Sequence, residues 1–158
     1  MSMYFTSTSS WNPDSWRDEI LYPVQETATR RIAYRPLSLS DEAATNIANQ
    51  LATLMEEQKP FLQVGYSLKA MSRAIGIPYY LLSFYLNRQA GMRFTDYLNQ
   101  YRVAYFVDLV AKGELNNLTL SGIAAHCGFQ NRNSLAMAVK RFTGMTPSDL
   151  ARGNKMDH

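Results

Sequence analysis

The residues between Arg132 and Arg141 have types and spacing suited to a definite chemistry. Apolar residues recur there at steps of three and four, which predicts a helix with one apolar face. The apolar set is Leu135, Ala138, Val139 and Phe142. The remaining face holds Arg132, Asn133, Ser134, Ala136, Met137, Lys140 and Arg141. Guanidinium, ammonium and amide groups on a helix with one free face can donate hydrogen bonds to base edges and phosphates, so this face suits the major groove of DNA.

The residue types that catalysis needs are scattered along the chain. The two histidines, His126 and His158, are far apart, and neither belongs to a cluster at metal-ligand spacing. The eight glycines stand singly, so no glycine-rich phosphate loop is present. The single cysteine, Cys127, cannot form an intramolecular disulfide, and we expect it to be a small buried residue of a cytosolic protein. The sequence predicts no enzyme, no cofactor and no metal site.

Two short helices on either side of Gly128 must position this polar face. Ile123 and Ala124 are the inward residues of the first helix, and Phe129 fills the corner between the two. Gly128 ends the first helix because glycine adopts the left-handed conformation without a Cβ penalty. The spacing predicts a helix-turn-helix over residues 119–152.

This stretch resembles the second helix-turn-helix of the AraC/XylS family of bacterial transcription regulators. The matching residues are Ile123-Ala124, Gly128-Phe129, Lys140-Arg141 and Gly144-Met145-Thr146-Pro147. In that pattern Gly144 ends the second helix, and Thr146 caps a further helix that begins at Pro147. The resemblance covers about Glu42 to Arg152. It implies an all-α domain of two helix-turn-helix subdomains that binds double-stranded DNA and regulates transcription.

An earlier copy of the motif is visible as an internal repeat. At an offset of 52 residues, Leu68, Met71, Gly76 and Ile77 fall on Leu120, Ile123, Gly128 and Phe129. After one inserted residue the offset becomes 53. The pairs are then Leu82 and Leu135, Leu86 and Val139, Asn87-Arg88 and Lys140-Arg141, Gly91-Met92 and Gly144-Met145, and Asp96 and Asp149. The repeat predicts a first helix-turn-helix over residues 67–91.

Between the two copies, the sequence predicts a helix from about Phe94 to Ala111, which ends near residue 112. Apolar residues are spread around most of its circumference. Such a helix is buried on more than one side and can serve both units as a shared strut. At ~1.5 Å per residue it spans about 27 Å. Successive major-groove segments on one DNA face lie ~34 Å apart. We therefore expect one chain to read two adjacent groove segments.

In the first copy Ser67 is the expected cap, and the second helix is expected to run from Tyr79 to Arg88 after Pro78. Its inward residues are Leu82, Tyr85 and Leu86, which leaves Tyr79, Tyr80, Ser83, Phe84, Asn87 and Arg88 outside. The expected base-edge contacts come from Tyr79, Tyr80, Ser83, Arg132, Asn133, Ser134 and Ala136. The expected phosphate contacts come from Arg88, Lys140 and Arg141.

Two positions depart from the family pattern. Phe84 stands where a glutamine or arginine is usual, and Met137 stands where an arginine is usual. Both can offer only apolar contact, for example with a thymine methyl, so base discrimination should be weaker. Three alternatives remain open: modest specificity, a surface adapted to a protein partner with DNA reading lost, or a helix phase that places Phe84 in the core.

The residues before the repeat are less informative. Residues 38–59 predict a lead-in helix, with Ser38 and Asp41 at capping-box spacing. We expect residues 1–37 to form an irregular arm with apolar anchors at Tyr4, Phe5, Trp11 and Trp16. These anchors favour packing on the domain or on a partner protein, RNA polymerase being one candidate. The alternative is a minor-groove arm carrying Arg30, Arg31 and Arg35. We expect residues 154–158 to form a tail.

Charge is unevenly distributed between the two parts of the chain. Residues 1–63 carry a net charge of −3, residues 64–153 carry +6, and the whole chain carries +3. The basic part is the part with the repeat, as phosphate contact requires. The longest nearly apolar run, from Ile77 to Leu86, falls far short of the ~20 residues that cross a membrane. With no signal-peptide pattern, we expect a cytoplasmic protein with no membrane partner.

Overall fold

The computed structural model describes residues 38–114 and 118–153, and every regular element within these ranges is helical. The elements are α1 (Asp41–Glu57), a 3-10 turn (Pro60–Leu62), α2 (Leu68–Ile75), α3 (Tyr79–Phe84) continued by a π-helical turn (Tyr85–Gln89), α4 (Phe94–Ala111), α5 (Leu120–His126), α6 (Arg132–Thr143) and α7 (Pro147–Gly153). The all-α prediction with helix-turn-helix units is confirmed. The predicted arm and tail, residues 1–37 and 154–158, lie outside the described residues.

The start of α1 differs from the expected capping box. The cap is Ser40 rather than Ser38, and its hydroxyl oxygen accepts a hydrogen bond from the backbone N–H of Ala43 at 3.2 Å. Ser38 therefore stands outside the helix, because a cap must lie directly before the first turn to reach its free N–H groups. At the other end, Lys59 takes a left-handed conformation with φ 47° and leads into the 3-10 turn, which places Phe61 in the core.

The internal repeat is preserved in the backbone. Ser67 and Thr119, which the repeat pairs, cap α2 and α5 by accepting hydrogen bonds from the backbone N–H three residues on. Gly76 and Gly128 follow these helices in the left-handed conformation, with φ of 67° and 81°. The expected glycine stop is thus confirmed in both copies.

The helix expected from Tyr79 to Arg88 is only partly α-helical. It is regular to Phe84 and then widens, because the N–H of Ala90 donates to the carbonyl of Tyr85, five residues back, at 2.9 Å. The wider turn leaves both Tyr85 and Leu86 buried. The prediction of inward residues is therefore correct, while the prediction of one uniform helix is wrong at its carboxyl end.

Two hydrophobic cores share α4. The first core contains the buried residues of α1, the 3-10 turn, α2, α3 and the π-helical turn, and it includes Leu98 and Tyr101 of α4. The second contains the buried residues of α5 and α6, and it includes Val103, Phe106 and Leu109 of α4. The expected strut is therefore observed, with successive parts of one helix buried in different cores.

Arg102 joins the two units at their junction. Its side chain is 9% exposed, and it donates from Nε to the carbonyl of Phe61 at 2.7 Å and from a terminal nitrogen to the carbonyl of Gln63 at 3.2 Å. Its guanidinium carbon also lies 5.5 Å from the centroid of the Phe129 ring. Because Phe129 belongs to the second unit, one buried side chain bonds the 3-10 turn of the first unit and packs on the turn of the second.

We predict that Cys127 resists thiol reagents in the folded chain. The residue is fully buried in the second core, and burial raises the pKa of its thiol to about 12 because the charged thiolate loses its hydration. Alkylation by iodoacetamide at pH 8 should therefore be at least about a hundredfold slower in native protein than in urea-unfolded protein. Mass spectrometry of timed aliquots measures both rates, and equal rates would contradict the burial.

Candidate nucleic-acid interface

The exposed face of α6 holds most of the predicted contacts. Leu135, Ala138 and Val139 are buried in the second core, which turns the opposite side of the helix outward. Arg132, Asn133, Met137 and Lys140 are exposed, with Met137 the most open at 75%, and Ser134 and Ala136 are partly buried. The structure therefore brings the predicted residues of α6 to one surface.

Asn131 has a role that the sequence analysis missed. Its side-chain oxygen caps α6 by accepting from the backbone N–H of Ser134 at 2.9 Å, and the Ser134 hydroxyl also lies 3.1 Å from that oxygen. The Ser134 side chain is thus engaged with the cap. Asn is among the preferred cap residues, so a signal existed in the Asn131-Arg132 junction before the apolar repeat.

Arg141 connects the second unit to the start of the shared helix α4. It donates to both carboxylate oxygens of Asp96, at 2.8 and 3.1 Å, and Asp96 lies in the first turn of α4. The paired position in the second copy, Asp149, instead accepts from the hydroxyl of Thr146 at 2.5 Å, next to the start of α7. The two carboxylates that the repeat pairs therefore have different partners. Asp149 bonds to Thr146 next to the start of α7, whereas Asp96 pairs with Arg141 and holds α6 against α4.

The Asp96–Arg141 pair should contribute modestly to stability. Its side chains are 16% and 46% exposed, so solvent screens the interaction, and we expect a coupling free energy of about 0.5–1 kcal/mol. Urea unfolding of Asp96→Ala, Arg141→Ala and the double variant gives the coupling through a double-mutant cycle. The coupling should decrease in 1 M salt. A value of zero at low salt would contradict a stabilising contribution from the pair.

The outer face of α3 is more aromatic than the exposed face of α6. Tyr79 and Tyr80 are 54% and 60% exposed, Arg88 on the π-helical turn is exposed, and Ser83 is partly buried. Asn87 donates from its side chain to the carbonyl of Ser83 at 2.8 Å. Phe84 is partly buried and, in the described ranges, is not among the side chains packed against either core. The alternative that placed Phe84 in the core therefore loses its support.

Other site types receive no support from the described residues. Within residues 38–114 and 118–153, no group of three or more histidine, cysteine, aspartate or glutamate residues is arranged to hold a metal ion. In the same ranges, no helix has both the length and the apolar character that crossing a membrane requires. His126 contacts Tyr105, with its Nε2 3.4 Å from the phenol oxygen.

The fold consists of two helix-turn-helix units that share helix α4, and this arrangement defines its structural class. A family model described as a helix-turn-helix domain matches residues 71–153, just over half of the chain. The chain belongs to the AraC/XylS family of transcription regulators.

Several known proteins are similar to parts of this chain in sequence or in structure. Over 61 residues it is 38% identical to the HTH-type transcriptional activator RhaR of Escherichia coli strain K12, an alignment covering 39% of this chain and 21% of RhaR. The match thus spans about a fifth of the length of the curated relatives. A structure of a protein of unknown function from Listeria innocua is 29% identical, with a TM-score of 0.54, over 67% of this chain and 94% of that one. The DNA-binding domain of AdpA, solved in complex with a target DNA, is 16% identical, with a TM-score of 0.56, over 71% and 95%.

Proposed function

We propose that the chain is a transcription regulator that binds double-stranded DNA through two recognition helices in adjacent major-groove segments. These helices are α3 with its π-helical turn and α6. The observation that carries the proposal is the exposed face of α6, where Arg132, Asn133 and Lys140 stand opposite the buried residues of the same helix. The family of the chain and the DNA-bound state of the AdpA domain support the same partner.

The length of α4 supports reading of two segments by one chain. The helix has 18 residues, which at ~1.5 Å per residue span about 27 Å. Adjacent major-groove segments on one face of B-DNA lie ~34 Å apart, so units packed near the two ends of α4 can reach both. The Asp96–Arg141 pair and the buried Arg102 hold these units in one arrangement, which reduces the entropy lost on binding.

We divide the residues of these two helices into those proposed to contact base edges and those proposed to contact phosphates. Exposed Tyr79, Tyr80, Arg132 and Asn133 are proposed to contact base edges, with Met137 and Phe84 offering apolar surface to thymine methyls. Ser83, Ser134 and Ala136 are less open and border these contacts. Arg88 and Lys140 are proposed to contact phosphates, and Arg141 does so only as far as its pairing with Asp96 allows.

A second candidate is an interaction module that keeps the fold and has lost DNA reading. The exposed apolar surface of Tyr79, Tyr80 and Met137 favours it, because such side chains are enriched at protein interfaces. A fluorescence-anisotropy titration against mixed genomic DNA fragments at 50 and 200 mM salt separates the two. We expect saturable binding that weakens at least about tenfold between these salts. No binding at 50 mM salt would favour the interaction module.

A cytoplasmic location follows from this function, and no cofactor is needed for it. We propose that residues 1–37 contact a protein partner, RNA polymerase or another protein, independently of DNA binding by the two units. Pull-down of the full chain with and without these residues tests it.

A further inference from the structure

The two proposed recognition helices can be compared position by position. The repeat offset of 53 residues pairs Leu82 with Leu135, and both side chains are fully buried. These two anchors fix the rotation of each helix about its axis, so residues paired by the same offset occupy corresponding outward positions. The correspondence extends to Phe84, because the first helix widens from Tyr85 onward.

The amino-terminal positions of the two helices carry different chemistry. In helix-turn-helix proteins the first residues of the recognition helix contact the base edges. In α3 these residues are Tyr79 and Tyr80, which are 54% and 60% exposed. The offset pairs them with Arg132 and Asn133 of α6, which are also exposed. One helix thus presents two phenol rings where the other presents a guanidinium and an amide.

These side chains match different bases. Thymine carries a methyl group and one acceptor, O4, on its major-groove edge. A tyrosine ring can pack on that methyl while its hydroxyl donates to the acceptor. Guanine presents two acceptors, N7 and O6, which an arginine guanidinium meets with two parallel hydrogen bonds. The first helix therefore suits thymine, and Arg132 of the second suits guanine.

The charges of the two helices differ in the same sense. The first helix with its π-helical turn contains one basic residue, whereas α6 contains three, and neither contains an acidic residue. Asn87 stands where the offset places Lys140, and its side chain donates to the carbonyl of Ser83 at 2.8 Å. That amide is thus engaged within its own helix. The first helix has more apolar surface and less charge to offer to DNA than the second.

We infer that the DNA site of this chain is asymmetric and that the chain binds it in one orientation. The half-site at α3 is rich in thymine, and the half-site at α6 contains a guanine that Arg132 contacts. Here a half-site is the segment of DNA that one recognition helix contacts. The inference rests on the proposed reading of two segments and adds the base composition of each. Reversing the chain on such a site would place the tyrosines on guanine and the guanidinium on a methyl group.

Base analogues test the inference on the wild-type chain. The probe is a duplex selected from random sequence, and the half-site whose footprint Lys140→Ala weakens is assigned to α6. Deoxyuridine lacks the thymine methyl, and in the α3 half-site it should lower the affinity about fourfold per contacted methyl. 7-Deazaguanine lacks the N7 acceptor. It should lower the affinity about tenfold in the α6 half-site and less than about twofold in the α3 half-site. Fluorescence anisotropy measures each affinity.

Substitutions assign each effect to its side chain. The double variant Tyr79→Ala/Tyr80→Ala should abolish the response to deoxyuridine in the α3 half-site. The matched control Tyr79→Phe/Tyr80→Phe keeps both rings and should retain that response. Arg132→Ala should abolish the response to 7-deazaguanine. The substituted side chains are exposed, and circular dichroism verifies that each variant folds.

The possible outcomes separate this inference from the proposed function. The inference is overturned if deoxyuridine in the α3 half-site leaves the affinity unchanged, or if 7-deazaguanine acts equally in both half-sites. It is also overturned if the two halves of the selected site are inverted copies of each other. Each of these results leaves DNA binding by the chain intact. Absence of saturable binding to every selected duplex would instead contradict the proposed function, and the inference with it.

Discussion

Gly128→Ala should destabilise the chain by about 3–5 kcal/mol, a large part of the ~5–15 kcal/mol that a domain of this size has. Part of the cost is conformational, because Gly128 has a φ of 81° and an L-residue there loses roughly 1–2 kcal/mol. The larger part is steric. An added Cβ would collide with the backbone oxygen of Phe61 and lie 2.9 Å from the Cα of Leu62 and 3.0 Å from Nε of Arg102. Overpacking against backbone costs about 1–3 kcal/mol or more because the backbone must move.

Gly76→Ala is the matched control for this substitution. The internal repeat pairs the two glycines, and Gly76 has a similar φ of 67°, but a Cβ there would meet no atom within 4 Å. It should therefore show the conformational cost alone, roughly 1–2 kcal/mol. Urea unfolding followed by circular dichroism measures both free energies. Equal losses of unfolding free energy in the two variants would show that the turn at Gly128 does not pack closely on the 3-10 turn.

Lys140→Ala and Arg132→Ala should both weaken DNA binding, with different signatures. Lys140 is assigned to a phosphate, so its loss should lower the affinity for every sequence and reduce the slope of log affinity against log salt by about 1. Arg132 is assigned to a base edge, so its loss should cost about 1–3 kcal/mol on the preferred site and relax the base preference at one position. Anisotropy titrations on a selected site and on scrambled DNA measure both effects.

Lys112→Ala provides the control for net charge. Lys112 is exposed at the end of α4, outside both recognition helices, and it pairs with Asp108 at 2.6 Å. Its removal changes the charge as much as Lys140→Ala does, but we expect less than about a twofold loss of affinity because salt screens distant charges. If the two variants weakened binding equally, the assigned contact of Lys140 would be wrong.

Local patterns in the sequence were enough to predict the repeated units. Helix stops at Gly76 and Gly128 follow from a residue type that tolerates positive φ, and burial of Leu82 and Leu135 follows from helical periodicity. Each of these features depends on residues within a few positions of one another. The shared helix α4 could also be predicted, because its apolar residues are not confined to one face.

Contacts between distant residues could not be predicted in the same way. Arg102 bonds the carbonyl of Phe61, 41 positions away, and Arg141 pairs with Asp96, 45 positions away. A basic residue in a helix usually indicates an exposed side chain, so no local pattern identifies these two as structural. The π-helical turn after Phe84 was missed for a similar reason, since its residues resemble those of an ordinary helix end.

Hydroxyl-radical footprinting of the chain on a DNA site selected from random sequence tests most directly whether two recognition helices contact one face of the duplex. We predict two protected segments with centres one helical turn apart, about 10–10.5 base pairs, on the same side of the DNA. Lys140→Ala should weaken protection at one segment more than at the other. A single protected segment, or two segments on opposite sides of the duplex, would contradict the account.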